Sequence, residues 1–164
     1  MPTTTEQIKD LRGKTGAGIM ECKRALDEGG SIPEAEKLLK KWGLATAEKK
    51  AGREAGQGVI YSYVHAGRVG AMIELNCETD FVARTDDFTL LAKEIAMQVA
   101  SMNPKRISSK DEASGEVDGD LPLLDQPYIR DASKTIQDLV NEAIAKLREN
   151  IVVRRIVRFE LGGS

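Results

Sequence analysis

A chain of 164 residues with 41% hydrophobic and 30% charged side chains has the composition of a globular protein with a sizeable core, in one or two compact units. Its 24 basic and 26 acidic residues leave a net charge of −2, so no global field favours nucleic acid or an anionic membrane surface, and neither partner is expected. Two cysteines, Cys22 and Cys77, and one histidine, His65, exclude a disulfide scaffold, a four-cysteine zinc site and a histidine cluster.

The opening "MPTTTEQIKD" has neither a basic start nor an apolar run, so no signal peptide is expected. No stretch approaches the roughly 20 apolar residues of a membrane span. Free thiols and a cytoplasmic location follow as expectations. Residues 5–12 then carry Ile8 and Leu11 at helical spacing, and Gly13, Gly16 and Gly18 break the chain. A second helix is predicted with Ile19, Cys22, Ala25 and Leu26 on one side, ending at Gly29-Gly30. "SIPEAEKLLKKWG" signals a third: Ser31 caps, Glu34 completes a capping box, and Pro33 fits the first turn. Ala35, Leu38, Leu39 and Trp42 form its stripe, and Gly43 is read as its stop. Residues 1–43 are thus a three-helix module. The Ala-, Lys- and Glu-rich residues 44–58 are expected to be a helical or flexible linker.

From Val59 the hydrophobic period changes from about 3.6 to 2. A hairpin is predicted, with one strand from Val59 to His65 and a second from Val69 to Cys77. On the second strand Val69, Ala71, Ile73, Leu75 and Cys77 share the buried face. A long helical stretch from Phe81 to Met102 follows, with Phe88, Leu91, Ile95 and Val99 in register, and Asn103-Pro104 ends it. Residues 104–131 read as a loop or an eroded insertion. A helix resumes with Ile136, Leu139, Val140, Ala143, Ile144 and Leu147 on one face. A final strand sets Ile151, Val153, Val157, Phe159 and Leu161 on one side. The class is α+β: the three-helix module, then a core over 59–164 with a three-stranded antiparallel sheet packed by helices.

Residues with the chemistry for catalysis do not assemble into a motif. "GKTGAG" lacks the leading glycine of a phosphate loop, because position 8 is Ile8, and a helix rather than a strand precedes it. It reads as a helix-helix turn. Glu78, Asp80, Asp86 and Asp87 have the oxygen donors of a hard-metal site, but they fall at helix starts, where acids favour the dipole and cap amides. "EKK" with Arg53, and Arg154-Arg155, have no interleaved aromatics and read as solvated faces. Neither a catalytic residue nor a metal or cofactor is expected; the residues point to a binding protein.

One stretch resists a purely structural reading. "NCETDFVARTDDF" holds two of the three phenylalanines, seven apart and wrapped in carboxylates. Phe88 continues into the helical stripe and belongs to the core. Phe81, by residue type alone, is expected to be buried too.

Four segments resemble a known family. "LRGKTGAGIMECKRAL" (11–26) and "ELNCETDFVAR" (74–84) are similar to the two signatures of the elongation factor Ts family, the nucleotide exchange factors of elongation factor Tu. "LLDQPYIRD" (123–131) and "ENIVVRRIVRFELG" (149–162) are similar to the end of its core. The resemblance implies an N-terminal module like ubiquitin-associated domains. It also implies a site of Thr79, Asp80, Phe81 and Val82 that reaches into the partner's G domain and disturbs its magnesium and phosphate sites. Arg12, Ile19 and Met20 are implied as further contacts to that domain. Phe81 would then be held out rather than buried. Residues 102–121 look shorter than in long members of the family, so a half-sized core with an open sheet edge or apolar face is expected to pair as a homodimer. Thr85 stands where many relatives have asparagine. Two readings of other classes compete: a ubiquitin-associated-like adaptor without exchange activity, and a nucleotide-binding enzyme using "GKTGAG".

Overall fold

The computed structural model describes residues 2–111 and 120–163. Three helices come first: α1 (Thr5–Thr15), α2 (Ile19–Gly29) and α3 (Ile32–Lys50). Each begins or ends where local chemistry requires. Thr4 caps α1 reciprocally with Gln7: the Gln7 amide donates to Thr4 Oγ1 at 3.2 Å, and the Thr4 amide donates to Gln7 Oε1 at 3.0 Å. Gly16, at φ 72°, closes α1 in the left-handed region. The Glu34 amide donates to the Ser31 hydroxyl at the start of α3. Leu11, Cys22, Ala25, Leu26 and Ala35 form a small core, with Ile8, Leu38, Leu39 and Trp42 packed against it.

The helix expected to stop at Gly43 does not stop there. It runs on to Lys50, through "LATAEKK", whose residues are strong helix formers. Gly43 is buried against the last long helix of the chain, and Ala47 joins the main core. Much of the expected linker is therefore helix that carries the first module into the second.

The main core is a three-stranded antiparallel sheet in the order β1 (Gln57–His65), β2 (Val69–Cys77), β5 (Val152–Glu160). Gly58 is obligatory in β1. At φ 149° it lies so close to β2 that a Cβ would sit 2.0 Å from the Leu75 carbonyl oxygen. The hairpin turns through Ala66 and Gly67, both at positive φ. Ala71, Ile73, Leu75 and Cys77 of β2 face the core. Over them lies α5 (Asp86–Met102), which buries Phe88, Leu91, Ala92, Ile95, Ala96 and Val99 and ends at Asn103 in the left-handed region. A further helix, α6 (Ile136–Leu147), packs Ile136, Val140 and Ile144 into the same core and its back against α3. None of the described helices is long and apolar enough to cross a membrane.

Three further expectations need correction. The stretch from Phe81 to Met102 is two helices, α4 (Asp80–Ala83) and α5, separated at Arg84 and Thr85, where the Thr85 hydroxyl accepts from the Phe88 amide and restarts the helix. The segment 104–131 is more than a loop, although 112–119 lie outside the described residues. It contains a 3-10 turn (Leu123–Asp125) and β3 (Pro127–Tyr128), which pairs with β4 (Asp131–Thr135). Buried Gln98 of α5 anchors this ribbon, donating to Gln126 Oε1 and the Pro127 carbonyl and accepting from the Ile129 amide at 3.0 Å. Tyr128 donates to Glu94 at 2.6 Å, and burial together with that bond pushes the phenol well above its usual range.

The third correction concerns β5. A bulge lies opposite Glu74 and Leu75 of β2, where Leu75 pairs with Val153 but Glu74 pairs with Arg155. One extra residue inverts the alternation beyond it. Val153 and Ile156 face the core, whereas Val157 and Phe159 face outward, and Phe159 is 75% exposed. Ile60 and Val64 of β1 and Met72 of β2 join them on the outer face of the sheet.

Candidate functional site

Thr79, Asp80, Phe81 and Val82 occupy the turn where β2 hands over to the helices. Thr79 is the N-cap of α4, its hydroxyl accepting from the Val82 amide at 3.4 Å. A single helical turn has an inner and an outer side. Ala83 is buried and Val82 packs against the core, which leaves Asp80 and Phe81 outside. Phe81 is 79% exposed, while Phe88, seven residues on, is fully buried. Burial by residue type fails for Phe81 and holds for Phe88. Asp80 lies 3.3 Å from Arg84, an exposed pair one turn apart, and such pairs are weak enough to exchange partners.

The turn is fastened from behind. Glu149, in the connection between α6 and β5, accepts through Oε1 from the Glu78 amide (3.1 Å) and the Thr79 amide (2.9 Å). Its Oε2 accepts from the Thr79 hydroxyl at 2.7 Å. Glu78 returns the contact, accepting from the Asn150 amide at 2.8 Å, with Arg53 3.6 Å from its other oxygen. Buried Asn150 donates in turn to the Arg53 carbonyl at 2.8 Å. The Cys77 thiol, fully buried below the turn, donates to the Thr79 carbonyl at 3.1 Å. Burial, and next the Glu149 carboxylate, raise that thiol from 9.0 to about 11.

Arg12, Ile19 and Met20 gather around the α1–α2 turn, where Arg12 Nε donates to the Ala17 carbonyl. Ile19 was expected on the buried side of α2. It is 55% exposed, and Met20 is 72% exposed, because the buried residues of the helix begin only at Cys22. Among the described residues no hydrogen bond or ion pair joins this group directly to Phe81. The nearest polar link runs through the chain neighbours of both sites: Arg148, next to Glu149, reaches Glu21, next to Met20, at 3.3 Å.

A separate cleft of about 850 Å³ lies between the first module and α6. Gly13, Lys14 and Thr15 of "GKTGAG" line it, but they belong to the end of α1. Lys14 sits 3.6 Å from both Asp10 and Glu36, and the Thr15 hydroxyl donates back to the Leu11 carbonyl. The motif is a helix terminus with its groups engaged, not a loop open to phosphate.

Comparison with known proteins gives one consistent result. The family model described as Elongation factor TS matches residues 45–119 and 78–164. Elongation factor Ts of Thermodesulfovibrio yellowstonii is 45% identical over an alignment of 194 positions, covering 99% of this chain and 98% of the relative. The same-named protein of Coprothermobacter proteolyticus is 47% identical over 99% of this chain and 100% of its own length. That of Leptospira biflexa is 43% identical with both chains covered in full. These alignments are longer than 164 positions, so each opens gaps in this chain.

The carboxylate clasp behind the turn had no signal in the residue pattern. Glu78 and Glu149 are 71 positions apart, and neither periodicity nor capping rules connect them.

Proposed function

The chain belongs to the elongation factor Ts family, and from that premise we propose that it is a guanine nucleotide exchange factor for elongation factor Tu. The observation that carries the proposal is the exposed Phe81, set on a capped turn at the edge of a packed core. A free chain gains nothing by keeping a phenylalanine in water. Its burial in a partner contributes roughly 2–3 kcal/mol.

The mechanism is one of linkage and involves no covalent chemistry. The factor binds the nucleotide-free GTPase more tightly than the GDP form, and so must weaken GDP by the same factor. Phe81 and Asp80 make the contacts that differ between the two states. Phe81 enters the partner's G domain, and Asp80 leaves its exchangeable Arg84 partner to act near the magnesium and phosphate sites, with Thr79 and Val82 setting the turn. Arg12, Ile19 and Met20 supply a second contact area, whose binding energy offsets the cost of opening the nucleotide site. The nucleotide-free complex is held until GTP enters. The chain acts in the cytoplasm, where elongation factor Tu acts, and as a homodimer closed through the outer sheet face of Ile60, Met72, Val157 and Phe159.

The adaptor reading uses the same exposed Ile19 and Met20 but assigns Phe81 no role, and so leaves the costliest exposed side chain unexplained. Release of a fluorescent GDP analogue from elongation factor Tu separates the two. Acceleration by substoichiometric amounts of this protein is expected. Binding of elongation factor Tu without acceleration would favour the adaptor.

A further inference from the structure

Phe81 has almost no contacts of its own to hold it, and α4 is one turn long, far below the length at which a helix is stable by itself. The direction of the aromatic ring must therefore be set through the backbone beneath it. The Thr79 cap, the Cys77 thiol on the Thr79 carbonyl and the Glu149 carboxylate grip that backbone at its start, and the Thr85 hydroxyl donates to the Val82 carbonyl at its end.

Glu149 governs the first of these. The Thr79 hydroxyl has one hydrogen, and it is committed to Glu149 Oε2 at 2.7 Å. The oxygen lone pairs are then directed at the Val82 amide, which is the capping bond. The other carboxylate oxygen holds two consecutive amides, Glu78 and Thr79, at 3.1 and 2.9 Å. Bonds to a charged acceptor are about twice as strong as neutral ones. The reciprocal bond from the Asn150 amide to Glu78 ties the two segments a second time. The same short connection also touches the first module, through Arg148 and Glu21 beside Met20.

We propose that Glu149 is a positioning residue for exchange: it holds the 78–82 turn so that Phe81 is presented already oriented, and it does so without touching the partner. The proposal rests on the exchange-factor reading for its consequence, though not for its geometry. Preorganisation lowers the ordering cost when Phe81 is buried in the partner, so its loss falls on the step at which the GDP complex opens rather than on first encounter.

The test uses the full chain with Glu149→Ala and Glu149→Gln, beside the parent protein. Two quantities are read: amide hydrogen exchange at residues 78–82 in the free protein, and the saturating rate and half-saturating concentration for GDP release from elongation factor Tu. Glu149→Ala is expected to speed exchange at the Glu78 and Thr79 amides about tenfold or more, and to lower the saturating release rate by a similar factor, as loss of a charge-assisted bond implies. The half-saturating concentration should change far less. Glu149→Gln keeps one oxygen for the two amides and should restore part of both effects. It also decides the matter if the alanine protein fails to fold. Unchanged amide exchange, or a change confined to half-saturation, overturns the proposal. If the parent protein does not accelerate GDP release from elongation factor Tu, the exchange-factor reading fails, while the amide measurements still decide whether Glu149 holds the turn.

Discussion

Phe81 and Phe88 show how far side-chain type can mislead. Phe88 sits at helical spacing from Leu91 and Ile95, so its burial could be read from the residues around it. Phe81 lies in a four-residue turn too short to show a period, and its exposure is decided by Val82 and Ala83 turning inward. Because Phe81 makes little of the fold, Phe81→Ala should leave unfolding stability within about 0.5 kcal/mol of the parent, as exposed substitutions do. Cys77 makes the opposite case. Burial and the neighbouring Glu149 carboxylate raise its thiol from 9.0 to about 11, so at neutral pH it is a protonated donor and should resist alkylation in the native protein. The unfolded chain ionises this thiol first. Unfolding therefore releases a proton above the ordinary value of 9.0, and the stability contribution is complete below that pH and lost as pH rises through about 11. Denaturant midpoints measured across this range should fall less steeply in Cys77→Ser than in the parent.

At the scale of elements, the order of helices and strands was legible because the hydrophobic period switches at Val59 and because caps and glycines mark most ends. The failures have separate physical causes. Gly43 resembles a stop, but the helix formers after it and the contact with α6 carry α3 onward. A Cβ at Gly43 would meet Ala145 Cβ and the Asn141 carbonyl at 3.8 Å, which is ordinary contact. Gly43→Ala should therefore stabilise the protein by about 1 kcal/mol, the difference between the two residues within a helix. A rise in the denaturant midpoint at unchanged slope would show it. A fall would mean that α3 and α6 pack too closely there. In β5 the bulge opposite Glu74 has no local mark. An alternating run reads the same with or without an extra residue, and only pairing with β2 reveals that Val157 and Phe159 have changed sides.

That inversion matters for the whole molecule. It places Val157 and Phe159 beside Met72, Ile60 and Val64 on a face that no described helix covers. A half-sized core, expected from the short 102–121 segment, would leave such a face open, and we propose that a two-fold pairing of sheets closes it. Light scattering at micromolar concentration should give twice the mass of one chain, and Val157→Glu should return it to a single-chain mass with the fold retained. A monomeric parent protein would remove the dimer. The two proposed contact areas lie on different units, the turn on the sheet core and Ile19 with Met20 on the helical module. The 148–150 connection is one polar path between their neighbourhoods.

The most direct measurement is release of a fluorescent GDP analogue from elongation factor Tu, with the parent protein and with Phe81→Ala. If Phe81 contributes its burial energy only when the nucleotide site opens, the substitution lowers accelerated release by roughly 30- to 150-fold while the protein stays folded. A folded Phe81→Ala protein that releases GDP at the parent rate would contradict the account.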